Sequence, residues 1–350
     1  MSETSKPRIV AVVGSTASGK TALAVELARR YGGEVVSCDS MQLYRGMDIG
    51  TAKPDEAERR GVLHHLFDIV DPVAGGSYSC ADYVRDARAA VEDILSRGRL
   101  PILCGGTGLY LDAFLRGGSF EVTDTDPTLR AALMDLCERE GAEALHARLA
   151  ELDPESAATI HPNNVKRVIR AIEICRTTGQ TKSELDRRSR LADSPYNALV
   201  IGLGYRDRAI LYDRIDRRVD AMLAAGLVEE TRRLRDLGVF DACPTAAQAI
   251  GYKELFPYLD GEQTLAEAAE ILKMATRRYA KRQMTWFLAK PYVSWIECCV
   301  GMPDVSLADG LSRASAADLP HTRLTTVKSF EEIVNIAEKL FRKEGICDIL

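Results

Sequence analysis

"GSTASGKT", Gly14 to Thr21, lies between the apolar run "RIVAVV" and the stretch "ALAVELARR", so it joins a predicted strand to a predicted helix. A G-x-x-x-x-G-K-[ST] loop in that setting limits the fold more than any other segment of the chain, because each part has a geometric job. Gly14 and Gly19 permit a tight loop with inward-pointing N–H groups, and the helix that starts there contributes the positive end of its dipole. Lys20 reaches the phosphates, and the Thr21 hydroxyl can ligate Mg²⁺. A phosphate-bearing ligand follows, but not its identity. A nucleotide hydrolase of this kind would offer a second strand ending in an acid after four apolar positions. Here "LPILCGGTGLY" ends in glycines and a threonine, and "EVVSCDS" places Asp39 after a Ser-Cys pair.

The N-terminal part alternates strand and helix: "RIVAVV", a helix over 20–31, "EVVSCD", a helix over 79–97, then "LPILCGG". Such alternation predicts an α/β fold, a P-loop NTPase-like parallel sheet flanked by helices, with binding chemistry at the carboxyl ends of the strands. Gly14, Asp39 and Gly105 then share one rim. The strand signal stops after "GGSFEVTDTDPTLR" and returns at "ALVIGLGY"; between them the chain is helical and charged, with breaks at Pro154, Pro162 and Gly179. The expected organisation is a core from 6–125 and 196–298 with C-terminal helices, and a helical insertion domain at 126–195. A linker over 300–324 and a terminal helix at 329–344 complete the 299–350 segment. "PYVSWIE" reads as a closing strand.

A chain of 350 residues, 46% of them hydrophobic, can bury one large core or a core plus a smaller appended unit. The polar start "MSETSKPR" lacks the features of a signal or transit peptide, and no apolar run approaches a membrane span, so a cytoplasmic protein without membrane attachment is expected. Nine cysteines without C-x-x-C pairs read as reduced small hydrophobes, with no metal cage. The net charge of -5 would argue against nucleic acid, yet its distribution is uneven. Residues 161–190 carry eight bases against three acids, and 273–290 carry six bases and no acid, so a basic face on an acidic protein is predicted.

Several residues keep more than one reading at this level. Asp39 suits a metal ligand, a base aimed at a nucleophile, or a cap on the following turn. "GGTGLY" at 105–110 is either an ordinary turn or a second place where backbone approaches a ligand, with Thr107 adding a hydroxyl. Arg214, Arg217 and Arg218 share a helix face, as a cationic cradle requires; alternation with Asp213, Asp216 and Asp220 also suits a solvated face laced with ion pairs. In "ATRRYAKRQMTWF", bases interleaved with aromatics suit phosphate contact and base stacking, whereas Trp286 and Phe287 serve equally as buried anchors. Lys166, Arg167 and Arg170 read as RNA phosphate contacts or as a solvated face. His64 and His65 lack metal-ligand partners and are expected to make structural hydrogen bonds.

Taken in order, "GSTASGKT", "DSMQLYRGMDIGTAKP", "HHLFDIVDP", "GGTGLYLDAF", "NNVKRVIRAIEI", "AIGYKE" and "RRYAKRQMTWF" closely resemble the tRNA dimethylallyltransferases, over about residues 8 to 296. The resemblance implies transfer of a dimethylallyl group from dimethylallyl diphosphate to N6 of adenosine 37, in the anticodon stem-loop of tRNAs reading codons that begin with U. Mg²⁺ would be required. Gly14, Ser15, Thr16, Ala17, Ser18, Gly19, Lys20 and Thr21 would hold the diphosphate, with Thr21 on the metal. Asp39 would act as base on N6, while Ser40, Met41 and Gln42 line the adenine. Thr107 would lie at the reacting oxygen, and Arg214 would bind diphosphate. Contacts to tRNA would come from Arg130 and from Lys166, Arg167, Val168, Ile169 and Arg170. Others would come from Gln248, Ala249, Ile250, Gly251, Tyr252 and Lys253, and from Lys281, Arg282, Gln283, Met284, Thr285, Trp286, Phe287 and Leu288. Ser15 is a departure, since the family usually has proline there. Eukaryotic members often carry a C-terminal zinc finger, but this tail offers only Cys298, Cys299, His321 and Cys347, so no zinc is expected. A monomer is expected.

This chemistry suits the residues. An exocyclic adenine amine is a poor nucleophile, and an allylic diphosphate ionises readily once its leaving charge is stabilised. A carboxylate near the amine and a cationic cradle around the diphosphate meet the two needs. The loop would then hold a leaving group, with no ATP required. A small-molecule kinase with Asp39 as base on an alcohol, and a non-catalytic RNA-binding protein, are the competing readings.

Overall fold

Apolar runs covered on both faces become the inner strands of one parallel sheet, which explains why "RIVAVVG" and "NALVIGLGY" read as continuous rather than alternating apolar segments. The computed structural model describes residues 6–74, 78–116, 126–191, 193–298, 325–327 and 329–343. The chain forms two compact units, Met1–Phe114 with Tyr196–Leu350, and Leu115–Pro195.

The first unit opens with β1 (Arg8–Gly14), α1 (Lys20–Arg30), β2 (Glu34–Ser37), α2 (Glu56–Arg59), β3 (His64–His65), α3 (Cys80–Ser96), β4 (Pro101–Gly105) and α4 (Gly108–Leu115). The second unit holds α5 (Pro127–Leu152), α6 (Pro154–Thr159), α7 (Val165–Thr178) and α8 (Lys182–Leu191). The first unit resumes with β5 (Asn197–Tyr205), α9 (Arg208–Ala224), α10 (Leu227–Asp236), α11 (Val239–Ala242), α12 (Phe256–Leu259) and α13 (Leu265–Leu288). It ends with β6 (Val293–Cys298), β7 (Thr325–Val327) and α14 (Phe330–Lys343).

The sheet order is β3-β2-β4-β1-β5-β6-β7, and every neighbouring pair is parallel. β6 is therefore not the closing strand that the sequence predicts. The edge strands β3 and β7 span two and three residues, too short for any periodicity to reveal them. His64 and His65 form β3: the His64 ring bonds the Val62 carbonyl at 2.9 Å, and His65 Nε2 meets Glu34 Oε2 at 2.7 Å.

On one face, Val10 and Val12 of β1, Ile102 of β4 and Ile201 of β5 pack against Leu23 and Leu27 of α1, Ile215 of α9, and Ile333 and Phe341 of α14. Each fully buried side chain of this size contributes roughly 1.5–3 kcal/mol of gross burial energy. The terminal helix is thus part of the core. Phe341 meets Tyr31 with ring centroids 4.7 Å apart, and Glu338 accepts from Arg30 at 2.9 Å. The 300–324 linker expectation lies outside the described residues, as do Cys299, His321 and Cys347. Cys298 is buried in β6. The seven described cysteines are free thiols. Among the described residues, no helix is long and apolar enough to cross a membrane.

In the second unit, Asp153 caps α6 by accepting from the Ser156 N–H at 3.0 Å, Pro154 takes the first helical position, and Gly179 ends α7 at φ 67°. Leu133, Leu136, Leu145 and Leu149 of α5 pack on Val168, Ile169 and Ile172 of α7. Glu173, wholly buried on α7, accepts twice from Arg130, at 2.8 and 2.7 Å.

Candidate active site

The register puts Val13 beside Gly105 and Ser37 beside Cys104, so the turns after β1, β2 and β4 emerge together at the carboxyl edge of the sheet. Close backbone approach makes this possible. A Cβ on Gly105 would fall 1.9 Å from the Cys38 carbonyl oxygen, and one on Gly14 would meet the Leu203 carbonyl oxygen at 2.8 Å. Gly14, Asp39 and Gly105 thereby converge on one rim. A cavity of about 370 Å³ opens there, lined by Thr16, Lys20, Thr21, Asp39, Ser40, Met41 and Gln42.

The phosphate loop is held from several sides. Arg214 Nε donates to the Ala17 carbonyl at 2.8 Å, and the Tyr205 hydroxyl to the Ser18 carbonyl at 3.4 Å. Lys20 Nζ donates to the Ser15 carbonyl at 3.3 Å, folding back over the loop. Burial pushes the Lys20 pKa down, and the Arg218 guanidinium adds to the shift, while Asp39 opposes it. Among the described residues, the buried Ser15 and Ser18 hydroxyls have no hydrogen-bond partner.

Arg214, Arg217 and Arg218 of α9 divide between the cradle and the ion-paired face. Arg214 is buried at the loop backbone, Arg218 lines the cavity, and Arg217 pairs with Asp213 on the outer face. Arg214 therefore braces the loop that is expected to hold the diphosphate. Thr107, which follows β4, bonds to the turn after β2. Its N–H donates to the Cys38 carbonyl and its Oγ1 accepts from the Ser40 N–H, both at 3.1 Å, so it fixes the turn that carries Asp39. Asp39 Oδ1 accepts from the Met41 N–H at 2.9 Å. This is the cap of the third sequence reading, and it leaves the carboxylate on the cavity wall.

The stretch from Gln248 to Lys253 is part of the cavity: Gln248, Ala249, Ile250, Gly251 and Lys253 line it, while Tyr252 turns inward and is 1% exposed. Its hydroxyl donates at 2.8 Å to Glu230, which also accepts from the N–H groups of Asp48, Ile49 and Gly50 at 3.2, 2.9 and 3.0 Å. No motif in the sequence marks Glu230. Its clamp sets the loop whose Gly50, Thr51 and Ala52 close the cavity, and Gln42 Nε2 donates to the carbonyls of Thr51 and Ala52.

On α13, Arg282 and Gln283 line the cavity, Lys281 and Thr285 face solvent, Met284 and Leu288 are half-buried, and Phe287 is wholly buried. Trp286 packs on the start of α4, where a Cβ on Gly108 would come within 2.1 Å of Cδ1, and its Nε1 is buried. Phe287 is thus a buried anchor, whereas Trp286 is half-buried, with Lys290 Nζ 4.9 Å from its ring centroid. Tyr252, Phe287, Val168 and Ile169 belong to cores, which corrects their expected side-chain contacts with RNA. Of the α7 group, Lys166 and Arg167 are exposed and Arg170 is half-buried beside Glu173 at 3.5 Å. Ile215, Val219, Met222 and Leu272 add an apolar wall to the cationic cavity, so it accommodates a ligand with a phosphate end and a hydrocarbon end.

A family model described as IPP transferase matches residues 42–290. The tRNA dimethylallyltransferase of Bacillus subtilis is 50% identical over 297 residues, 85% of this chain and 92% of that protein. The Halalkalibacterium halodurans enzyme of the same name is 50% identical over 83% of this chain and 91% of its own. Among solved structures, the tRNA isopentenylpyrophosphate transferase of Bacillus halodurans covers 98% of this chain and 99% of its own at 43% identity and TM-score 0.65. A eukaryotic dimethylallyltransferase acting on tRNA covers 83% of this chain and 74% of its own at 30% identity and TM-score 0.72. With half its residues shared across nearly the whole length of such relatives, and with a cavity that joins cationic and apolar walls, this chain belongs to the IPP transferase family.

Proposed function

We propose that the chain is a tRNA dimethylallyltransferase: it moves a dimethylallyl group from dimethylallyl diphosphate to N6 of adenosine 37 in tRNAs reading codons that begin with U, and releases diphosphate. The observation that carries this reading is the presence of Asp39, Lys20 and Arg218 in one cavity with an apolar wall. Lys20, Arg218 and the loop amides would hold the leaving diphosphate, whose arrival would favour the charged form of Lys20. Ile215, Val219 and Met222 would exclude water from the allylic carbon. Asp39 would take the proton from N6 as the amine attacks that carbon, with the adenine between Ser40, Met41 and Gln42. The base would supply on the order of 10²–10⁴ in rate and the electrophile stabiliser on the order of 10²–10³.

A hard oxygen donor fits a magnesium ion: the Thr21 hydroxyl lines the cavity beside Lys20. Mg²⁺ would neutralise charge on the diphosphate. Lys166, Arg167, Lys281 and Arg282 would contact tRNA phosphates, in a monomer working in the cytoplasm. Family membership removes the ground for the kinase alternative, since the relatives are prenyltransferases. The test is incubation of the purified chain with dimethylallyl diphosphate, Mg²⁺ and unmodified tRNA. Formation of N6-dimethylallyladenosine at position 37 and release of diphosphate are expected; folded protein that yields neither overturns the reading.

A further inference from the structure

We propose that Gln283 is a positioning residue that couples tRNA binding on α13 to capture of diphosphate by the phosphate loop, a role that rests on the prenyl-transfer reading above. Gln283 is 5% exposed. Its Oε1 accepts from the Thr16 N–H at 2.8 Å, and its Nε2 donates to the Gly106 carbonyl at 3.1 Å. One side-chain amide thus ties the loop after β1 to the turn after β4. The amide orientation is forced, because a flip would set donor against donor at Thr16 and acceptor against acceptor at Gly106. A Cβ on Gly106 would lie 2.0 Å from Nε2, so the glycine keeps open the space that the amide fills.

The helix that carries Gln283 is fixed at several points. A capping box of Thr264 and Glu267 starts it, and the ion pairs Arg277–Asp216 and Lys273–Asp220 join it to α9. Lys281 and Arg282, exposed immediately before Gln283, would receive RNA phosphates. Load taken there passes along a stiff helix to the Thr16 amide, and so to the orientation of the loop that holds the leaving group. Both polar atoms of this buried amide are bonded to ligand-holding turns, so its role on the cavity wall is to position them. By reciprocity, whatever factor tRNA adds to diphosphate affinity, diphosphate adds to tRNA affinity.

Calorimetric titration of the full chain with inorganic diphosphate and Mg²⁺, alone and saturated with unmodified tRNA, tests this. In the wild type, tRNA should tighten diphosphate binding ~5-fold or more. Gln283→Met, which keeps the volume and removes both bonds, should bring that ratio below ~2-fold while affinity for tRNA alone stays within ~2-fold. Gln283→Glu keeps the acceptor for Thr16 but sets oxygen against oxygen at Gly106; it should lose the ratio too, and it serves if the first variant does not fold. A wild-type ratio near one, an unchanged ratio in the folded variants, or loss of tRNA affinity matching Lys281→Ala would overturn the proposal. Wild-type protein that fails to transfer a prenyl group removes the functional reading; transfer with independent binding of the two ligands removes the coupling alone.

Discussion

Arg214 on α9 donates its Nε–H to the main-chain carbonyl of Ala17, 2.8 Å away, inside the phosphate loop. Ala17 sits at φ 59°, a conformation that a residue with a side chain holds only when its surroundings impose it. Arg218, one turn further along the same helix, lines the cavity instead. The two arginines should therefore fail differently. Arg214→Ala should lower stability by roughly 1–3 kcal/mol and weaken diphosphate binding through a loosened loop. Arg218→Ala should weaken diphosphate binding with a smaller loss of melting temperature than Arg214→Ala. Thermal melts beside calorimetry of inorganic diphosphate separate the two; equal melting losses would show that both arginines are structural.

Asp39 does two jobs, and one substitution divides them. Asp39→Asn keeps an oxygen for the Met41 N–H and so preserves the turn, but it cannot take a proton. Prenyl transfer should fall by ~10²–10⁴ in kcat with the melting temperature and tRNA affinity held. Asp39→Ala should lose the turn as well. Single-turnover rates on unmodified tRNA make the comparison, and an active Asn variant would assign the proton to another group.

Glu230 should be as important to the cavity as any residue inside it. Glu230→Gln turns one acceptor oxygen into a donor facing N–H groups of the 48–50 loop or the Tyr252 hydroxyl, at a cost of roughly 1–3 kcal/mol. We expect faster amide exchange across residues 48–52 and a raised KM for the prenyl donor. Exchange unchanged there, measured by mass spectrometry, would mean that the loop is held by other contacts.

The chain's legibility follows the range of each interaction. The phosphate loop, the strand "RIVAVV" and the position of Asp39 are local, because their geometry is written within about ten consecutive residues. Family resemblance draws distant segments together but assigns whole stretches to RNA. Burial alternates within a helix, so Val168 and Ile169 fall into a core beside exposed Arg167, and Phe287 does so beside Thr285. Glu230 lies in "LVEETRRLRD", where nothing marks it apart from exposed Glu229. Only the fold brings it to amides some 180 residues away. The strands β3 and β7 are hidden for the same reason, being set by their neighbours and not by their own pattern.

Acid should act on the far edge of the sheet. Hydrogen bonding from Arg97, and then from His65, holds the buried Glu34 carboxyl at about 2, against burial that would raise it from 4.5. A carboxyl depressed in the folded state adds stability above its unfolded pKa and loses that contribution as pH falls through the folded value. Wild-type stability should therefore decline between about pH 4.5 and 2 more steeply than that of Glu34→Gln. Urea midpoints across that range measure it; parallel curves would place the acid-sensitive groups elsewhere.

Neighbours on α7 should separate fold from RNA contact within the helical insertion. Arg167 is exposed, and removing one phosphate contact should flatten the dependence of log Kd on log salt by about 0.7–0.9 for an RNA ligand. Ile169 is 2% exposed against Leu133, Leu136, Leu145 and Leu149, and truncation to alanine should destabilise the insertion by roughly 2–5 kcal/mol. Arg170, beside the wholly buried Glu173 that Arg130 also grips, should show both effects in part. Filter binding of unmodified tRNA across a salt series, run beside melts of Arg167→Ala, Ile169→Ala and Arg170→Ala, gives each variant two coordinates. A salt slope unchanged in Arg167→Ala would remove α7 from the RNA surface, and a slope changed in Ile169→Ala at full stability would mean that the helix does not pack as described.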